Sequence, residues 1–310
     1  MRELILMKAI SFLKSQGFIV STFMDSNSCF DLVANRADIK VVLKVYSNID
    51  GLRKEHAEEL EKISKAFNAM TIILGEKTKA FTLKKGVVYE RHNIPAMNYS
   101  TFISVFDTMV PSVKFFKGKT IVELDSDELR QKRNEMDLTL EKLAEKTGIT
   151  KESLYRLEHG FRTSMETAKK LEKILNTDLI VEKNLLDSFA AKENDTDKFF
   201  NDSFSDASLE KIHSLGMNVI EFMHAPFKGF GTKKEFIFID SGKEKSELTK
   251  KAMVLEKTKA VLDSHSLIIT KKFSLDKIES TPVMQEEELA SYSDAKDLMN
   301  EVKKREKKND

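Results

Sequence analysis

The side chains best suited to chemistry stand at the start of a short predicted helix between Thr150 and Gly160. Thr150 is a favourable N-cap, because its hydroxyl can accept a hydrogen bond from a free backbone N–H of the first turn. The cap places Lys151, Glu152 and Ser153 in that first, exposed turn. Charged and hydroxyl side chains in such a turn can donate and accept hydrogen bonds on the surface of a partner molecule.

The rest of this helix divides into a buried side and an exposed side. Leu154 and Leu157, three residues apart, fall on one face and predict burial. Tyr155 and Arg156 then lie on or near the exposed side. Gly160 ends the helix. The pattern therefore presents a charged flank to solvent and an apolar flank to a core.

The elements that must position this helix are indicated by caps, glycines and apolar spacing. Thr139 predicts the N-cap of the preceding helix, in which Leu143 and Ala144 face inward. Gly148 follows that helix at a position where a left-handed backbone is easiest for glycine. Ile149 is then expected to fill the core of the turn.

A fourth helix closes the predicted core. Thr163 and Glu166 have the spacing of a capping box at its start. Leu171, Ile174 and Leu175 lie on its inward side. The segment thus predicts an all-α unit of four short helices.

The segment from about Asp127 to Asn176 resembles the helix-turn-helix domain shared by the phage Cro and C1 repressors. The resemblance implies base contacts for Lys151, Glu152 and Arg156. It also implies structural roles for a set of ion-pair, turn and core positions: Arg133, Ala144, Gly148, Ile149, Thr150, Leu154, Leu157, Glu158 and Gly160. In this set Arg133 and Glu158 fall where the family often has a buried structural ion pair, so the resemblance implies that they belong to the scaffold.

The chemistry of the three base-contacting candidates agrees with these implied roles. Arg or Lys pairs with guanine O6 and N7, and Glu accepts from cytosine N4, so a G·C-containing half-site is expected. Contacts to phosphate set the register without specifying the sequence, and the candidates for them are Ser153, Arg162, Lys169 and Lys170.

Two features depart from the phage repressors. Leu140 stands where a polar, phosphate-contacting residue is common, and the loop FRTS is one residue shorter than usual and lacks its proline.

From Asp127 to Asn176 there are 11 Lys and Arg against 10 Asp and Glu, a net charge of +1. So small a charge predicts that binding needs a homodimer on a roughly palindromic operator, or help from the flanking domains.

Asp31 and Lys44 form a second chemical pattern, within FDLVANRADIKVVLKVYS. This stretch resembles the core of restriction-endonuclease-type folds, where an Asp ends one strand and an acid-x-Lys triplet lies on the next. Val42 occupies the position of the metal-binding acid, so a two-carboxylate metal clamp cannot be completed. We therefore expect a degenerate nuclease-like fold without catalytic residues and without a metal.

Composition excludes several other functions. Lys and Arg number 51 against 50 Asp and Glu, so the chain lacks the basic field of a non-specific nucleic-acid coat. Cys29 is the only cysteine, which excludes an intramolecular disulfide and a zinc site built on paired thiolates. The histidines show no i, i+4 pairing, and glycine-rich phosphate motifs are absent, so no cofactor is expected. No apolar run could span a membrane, which predicts a cytoplasmic protein.

The sequence predicts a multidomain fold, α/β plus all-α, in which a central Cro/C1-type helical domain is flanked by two α/β domains. The predicted domains are a nuclease-like α/β domain at 1–120, the helix-turn-helix domain at 127–182, a linker at 183–208, a second α/β domain at 209–300 and a charged tail at 301–310.

The second α/β domain echoes the first. KVVLKVYSN aligns with KEFIFIDSG, and NAMTIILGEK aligns with DSHSLIITKK. A Lys/Glu-rich helix precedes each final strand, at 52–66 and 243–260, and is expected to pack on its own sheet. The echo favours a divergent duplication, although any two units with this common order of elements would look alike.

The overall arrangement resembles HTH-type transcriptional regulators of archaea. This resemblance implies a sequence-specific, double-stranded-DNA-binding transcriptional regulator that reads the major groove with helix 150–158. The flanking domains would then dimerise, sense a small-molecule or protein effector, or contact the transcription machinery. Two alternatives stay open, namely a DNA-targeted nuclease and an antitoxin-like protein-interaction module.

Overall fold

The computed structural model describes residues 1–23, 28–37, 39–107, 110–111, 113–116, 119–183, 200–201 and 203–307. The chain divides into two compact units, the first formed by Met1–Ile5, Tyr46–Gly51 and Ile73–Lys192 and the second by Leu6–Val45, Leu52–Ile72 and Glu193–Asp310. The predicted linker at 183–208 lies mainly outside the described residues. The domain limits taken from the sequence remain predictions.

The N-terminal α/β part forms a six-stranded sheet with the strand order β1-β2-β3-β4-β6-β5. Its elements are α1 (Arg2–Ser15), β1 (Ile19–Thr22), β2 (Leu32–Arg36), β3 (Ile39–Val45), α2 (Lys54–Phe67), β4 (Met70–Leu74), β5 (Tyr89–Arg91), β6 (Ile94–Met97) and α3 (Tyr99–Asp107). Strands β1, β2 and β3 pair antiparallel, β4 and β6 pair parallel, and β5 pairs antiparallel with β6. Every residue of β4, MTIIL, is buried, as expected for a central strand covered on both faces.

The central part contains four helices and several short strands. Its elements are β7 (Val110–Pro111), β8 (Val113–Phe116), β9 (Lys119–Val122), α4 (Ser126–Glu135), α5 (Leu140–Thr147), α6 (Lys151–Leu157), β10 (Thr163–Ser164), α7 (Met165–Leu175) and β11 (Glu182–Lys183). The strands form a three-stranded sheet of order β10-β9-β8 and a two-stranded pair of β11 with β7. Helices α4 to α7 therefore make the predicted helical unit, with a strand added between α6 and α7.

The C-terminal α/β part forms a second six-stranded sheet, of order β12-β13-β14-β15-β17-β16. Its elements are α8 (Ala207–Ser214), β12 (Asn218–Glu221), β13 (Gly229–Thr232), β14 (Phe236–Gly242), α9 (Lys245–Leu262), β15 (His265–Thr270), β16 (Lys277–Ile278), β17 (Thr281–Gln285), α10 (Glu286–Leu289) and α11 (Ala295–Lys307). The predicted fold class is confirmed, because two α/β parts stand before and after a helical part along the chain.

The two α/β parts are structural repeats of one another. Both sheets have the same order when their strands are numbered along the chain. Gly17 and Gly216 occupy the same place in the two repeats, after the first helix and before the first strand, with φ of +80° and +85°. Both sheets also place antiparallel pairs at their two ends. The shared order supports the duplication inferred from the sequence echo.

Within the second compact unit, elements of the two repeats pack against each other. Helix α9 contacts β14 and β15 of its own sheet, as expected, but also β1 and β2 of the N-terminal sheet. Ser21 Oγ donates to the Lys257 carbonyl at 2.6 Å, and Asn35 Nδ2 donates to the Val261 carbonyl at 2.8 Å. The prediction that this helix packs on its own sheet is confirmed, and its contact with a second sheet is an addition that the periodicity of the helix does not reveal.

Aromatic rings fill the space between the repeats. Phe67, at the end of α2, lies 6.1, 5.7 and 5.4 Å from the ring centres of Phe227, Phe230 and Phe238. Phe67, Phe227 and Phe230 are each at most 4% exposed. Aromatic pairs at such distances add to the stabilisation that burial gives.

The caps of the helical unit follow the sequence closely. The hydroxyls of Thr139 and Thr150 accept hydrogen bonds from the third residues of α5 and α6, each at 3.2 Å. Gly148 and Gly160 take φ of +67° and +82°, a region that other residues enter only at a cost. Ala144 and Ile149, predicted to face the core, are only half-buried.

The predicted capping box of the fourth helix was wrong. Ser164 is the N-cap of α7, and its hydroxyl accepts a hydrogen bond from the Thr167 N–H at 3.0 Å. Thr163 instead belongs to β10, where it pairs with Val122 of β9. Thr163 pairs with a strand that is distant in the sequence, and the helix cap therefore lies one residue later than predicted. The spacing of nearby residues contains no information about that pairing.

An ion pair joins the end of α4 to the end of α6. Arg133 Nε lies 2.6 Å from Glu158 Oε1, and Arg133 Nη2 lies 3.2 Å from Oε2. Arg130 Nη2 donates to the Glu158 backbone carbonyl at 2.7 Å. The Glu158 side chain is 5% exposed. A buried carboxylate with a bidentate arginine holds two helices in a defined relation.

The predicted charged tail is part of the fold up to residue 307. Helix α11 continues to Lys307, and Val302 within it is completely buried. Arg305 pairs with both Glu301 and Glu288. The tail boundary at 301 remains a prediction, although residues 301–307 lie within α11, and residues 308–310 lie outside the described part. No helix in the described part is long and apolar enough to cross a bilayer.

Replacement of Glu158 by Gln should destabilise the helical unit by about 2 kcal/mol, because it leaves the Arg133 guanidinium without its carboxylate. Native-state hydrogen exchange at the amides of α5 and α6 measures this locally in the full chain. Glu152→Gln, an exposed substitution on the same helix, should change the opening free energy by less than about 0.5 kcal/mol. Equal protection in both variants would contradict a structural role for the pair.

Candidate nucleic-acid interface

The exposed flank of α6 carries the side chains predicted to contact bases. Lys151, Glu152 and Arg156 are all exposed. Leu154 and Leu157 on the opposite flank are 0% and 4% exposed. Rotation of the helix about its axis would expose these leucines, so their burial determines which flank faces solvent.

Lys151 is held by a partner on the preceding helix. Its ammonium forms an ion pair with Glu141, in the first turn of α5. The hydrogen bond from Lys151 lowers the pKa of Glu141 to about 2, and the pKa of Lys151 is raised by the same bond. Because the two side chains are 53% and 56% exposed, the pair can open at little cost when another anion competes.

Arg156 lies over an aromatic ring that sequence reasoning did not single out. Its guanidinium carbon is 4.5 Å from the centre of the Phe161 ring. The left-handed turn at Gly160 brings Phe161 back, and its N–H donates to the Arg156 carbonyl at 3.1 Å. Phe161 is 50% exposed. The available signal was a large apolar residue directly after the glycine that ends the helix.

A second aromatic contact extends the same surface. The rings of Tyr155 and His159 have centres 4.0 Å apart, and Tyr155 is 54% exposed. The His159 Nδ1–H donates to the Tyr155 carbonyl at 2.7 Å. The histidine is thereby tied to the end of α6, where its ring stiffens the exposed tyrosine.

The predicted phosphate contacts come from three elements. Ser153 is on α6 and accepts a hydrogen bond from Thr150 Oγ1 at 2.9 Å. The cations each lie beside a carboxylate: Arg162 is 3.4 Å from Glu123, Lys169 is 2.9 Å from Glu172 and Lys170 is 3.4 Å from Glu166. In each pair the cation is exposed, and in the Lys170–Glu166 pair the carboxylate is exposed as well. Such pairs contribute little to stability.

The nuclease-like pattern in the N-terminal repeat forms a closed, neutralised pair. Lys44 Nζ lies 3.0 Å from Asp31 Oδ1 and donates to the Ser28 carbonyl at 2.5 Å. Asp31 Oδ2 accepts the Val45 N–H at 2.7 Å. Asp31 and Lys44 are 1% and 8% exposed, and Val42 is completely buried. The structure thus brings the predicted pair together but adds no second carboxylate at position 42.

A loop of the C-terminal repeat lies close to this pair. The Cys29 N–H donates to the His224 carbonyl at 2.7 Å. Glu59 Oε2 accepts the N–H groups of Met223 and His224 at 3.0 and 3.1 Å. Burial, followed by the Glu59 carboxylate, raises the pKa of the Cys29 thiol, so this side chain stays a neutral thiol.

Two family models match the chain. The first, described as a PD-(D/E)XK superfamily domain, matches residues 2–111, and the second, described as a helix-turn-helix, matches residues 129–181. The first match agrees with the N-terminal sheet and with the Asp31 and Lys44 pattern. The second begins within α4 and extends through α7. No solved structure matches the chain.

Relatives match nearly the whole chain. A protein of Archaeoglobus fulgidus named "Putative HTH-type transcriptional regulatory protein" is 30% identical over 298 residues, 96% of each chain. Proteins of the same designation from Methanocaldococcus jannaschii and Methanococcus vannielii are each 30% identical, over 98% and 100% of this chain and 97% and 100% of their own. Together with the helix-turn-helix match, this similarity shows that the chain belongs to the archaeal family of HTH-type transcriptional regulatory proteins.

Proposed function

We propose that the protein is a sequence-specific regulator that reads the major groove of double-stranded DNA with residues 150–158. The observation that carries the proposal is the arrangement of α6, a capped helix that buries Leu154 and Leu157 and exposes Lys151, Glu152 and Arg156. A helix in this position of a helix-turn-helix lies in the groove and touches base edges with its first turns.

Arg156 is the strongest candidate for a specific base contact. A guanidinium can donate two hydrogen bonds to guanine O6 and N7, a pairing worth about 1–3 kcal/mol of discrimination. Phe161 lies under the guanidinium and limits its rotamers, so less conformational entropy is lost on binding. We therefore assign Phe161 a positioning role beside the three contacts inferred from the sequence.

The small net charge of the helical unit favours a homodimer. Eleven cations against ten carboxylates between 127 and 176 give weak non-specific attraction to phosphate. Two copies on successive major grooves, about 34 Å apart, double the number of base contacts and match a roughly palindromic operator. In this arrangement Ser153, Arg162, Lys169 and Lys170 would set the register on the backbone.

We propose that the N-terminal repeat has no nuclease activity and serves as a scaffold in a cytoplasmic protein. Asp31 and Lys44 neutralise each other and are almost completely buried. A metal-dependent nuclease needs carboxylates that are open to a hydrated metal ion and to the phosphodiester. The apolar side chain of Val42 occupies the position from which the second carboxylate would act.

Arg156→Ala should relax one base position in each half-site and lower affinity for the selected operator about tenfold to a hundredfold. Selection of bound duplexes from a random library at near-physiological salt, followed by titration, measures both effects. Lys146→Ala removes an exposed cation of α5 and should leave the selected motif unchanged. Enrichment of the same motif by wild type and Arg156→Ala would contradict the base contact, and absence of any motif would contradict the proposed function.

Phe161→Ala should weaken operator binding by about 0.5–1 kcal/mol, because Arg156 loses the ring that orients it. In a double-mutant cycle the effect should largely disappear when Arg156 is already alanine. Phe161→Tyr keeps a ring at the position and should retain most of the affinity. Additive effects of the two alanine substitutions would contradict the positioning role.

Wild-type protein should not cleave duplex or branched DNA in the presence of Mg²⁺ or Mn²⁺, because the pair at Asp31 and Lys44 lacks a second carboxylate. Gel analysis of end-labelled substrates measures this, with Asp31→Asn as the matched variant. Cleavage by wild type that disappears in Asp31→Asn would establish a nuclease and overturn this part of the proposal.

A further inference from the structure

The exposed flank of α6 presents an aromatic ring among charged and hydroxyl groups. The structure describes every residue of this helix, and the exposed ones are Lys151, Glu152, Ser153, Tyr155 and Arg156. Four of them can donate or accept hydrogen bonds at base edges or phosphates, whereas Tyr155 offers mainly the apolar surface of its ring. Tyr155 is 54% exposed. The base and phosphate contacts proposed for the helical unit do not use this ring.

The ring of Tyr155 is held in place by His159. The two ring centres are 4.0 Å apart, and the ring planes are inclined by 33°. The His159 Nδ1–H donates to the Tyr155 carbonyl at 2.7 Å, so the imidazole is tied to the backbone of the residue on which it packs. Contact between aromatic rings is attractive beyond the burial of their surface. The tyrosine ring therefore has few orientations to lose when a partner binds, which lowers the entropic cost of binding.

The ring lies beside the side chains proposed to touch bases. Lys151 and Glu152 precede Tyr155 by four and three residues, and residues at these spacings are neighbours on the surface of a helix. Arg156 follows Tyr155 directly. A helix that enters a major groove with Lys151, Glu152 and Arg156 therefore brings the tyrosine ring to the base edges as well.

The major groove displays one apolar group among many polar ones. Every base pair presents hydrogen-bond donors and acceptors there, and thymine adds its C5-methyl group. An aromatic ring placed against donors and acceptors would displace their water without replacing the hydrogen bonds, which is unfavourable. Against a methyl group the same ring removes apolar surface from water on both sides, which is favourable. The chemistry of the groove thus matches the ring to a methyl group.

We propose that Tyr155 reads the C5-methyl group of a pyrimidine in the major groove. The inference rests on the proposed reading of DNA by α6 and adds a specificity-determining residue to it. Thymine and 5-methylcytosine both carry this methyl group, so the ring recognises the group and not the rest of the base. Neighbouring Cα atoms are about 3.8 Å apart and successive base pairs about 3.4 Å apart, so the methyl group is expected within about two base pairs of the guanine contacted by Arg156.

The test starts from the operator that the wild-type full chain selects from a random library. Each thymine of one half-site is replaced in turn by deoxyuridine, which lacks the C5-methyl group and keeps every hydrogen-bonding group. At one position, within about two base pairs of the guanine preference that Arg156→Ala loses, this change should weaken binding about fourfold, the effect of one buried methyl group. At the same position 5-methylcytosine should bind about fourfold more tightly than cytosine.

Variants of Tyr155 assign the effect to its ring. Tyr155→Ala should bind the thymine and deoxyuridine operators equally, and the 5-methylcytosine and cytosine operators equally. Tyr155→Phe keeps the ring without the hydroxyl and should keep both preferences. Met136→Ala removes an exposed apolar side chain at the end of α4 and is the matched control, which should also keep both preferences. Because both positions are exposed, all three variants should retain the Tm of wild type.

Several results would overturn the inference while the proposed function stands. Wild type could select a motif but bind its thymine and deoxyuridine forms equally, or select no pyrimidine methyl near the guanine contacted by Arg156. A methyl preference that persists in Tyr155→Ala would assign the contact to another side chain. Equal loss of affinity in Tyr155→Ala and Tyr155→Phe, without a methyl preference, would make the hydroxyl a phosphate contact. Selection of no motif at all would instead contradict the proposed function, and this inference with it.

Discussion

The orientation of the proposed DNA-reading helix depends on one buried carboxylate. Glu158 lies at the end of α6 and is 5% exposed, and its carboxylate is held by the fork of Arg133 at the end of α4. A charge buried in this way must be paired, so α4 and α6 have little freedom to move relative to each other. Arg156 precedes Glu158 by two residues, and the same constraint therefore limits where its guanidinium can point.

The two α/β repeats have the same arrangement of strands but differ in how their charged side chains are buried. Both sheets have the same strand order, but the N-terminal repeat buries Asp31 with Lys44, whereas the C-terminal repeat leaves charges around an open cleft. A loop of the C-terminal repeat also packs near the buried pair, where the backbone N–H groups of Met223 and His224 donate to Glu59 of the N-terminal repeat. Burial makes the Asp31–Lys44 pair a structural element, whereas Lys228 in the C-terminal repeat keeps 44% of its side chain exposed.

The sequence predicts those parts of the fold that depend on local chemistry. Thr139 and Thr150 act as caps, and Gly148 and Gly160 adopt positive φ, because capping and backbone freedom are properties of single residues. Pairing between distant residues was missed. Thr163 joins β9 instead of capping α7, and α9 contacts a second sheet. Each of these depends on tertiary contacts, for which residue spacing contains no information. The site residues proposed for DNA contact stay predictions, although their exposure agrees with the role.

The pairing of charges at the interface has a consequence for specificity. Lys151, Lys169 and Lys170 each lie beside a carboxylate, so part of the attraction to phosphate is offset by the loss of these pairs. In the proposed complex the non-specific affinity, which depends on such cations, would thereby be low. Arg156 differs because a neutral ring supports it, and it can direct its full charge to a base edge. Discrimination between DNA sequences depends on the ratio of specific to non-specific binding, and in the proposed complex this distribution of partners would increase that ratio.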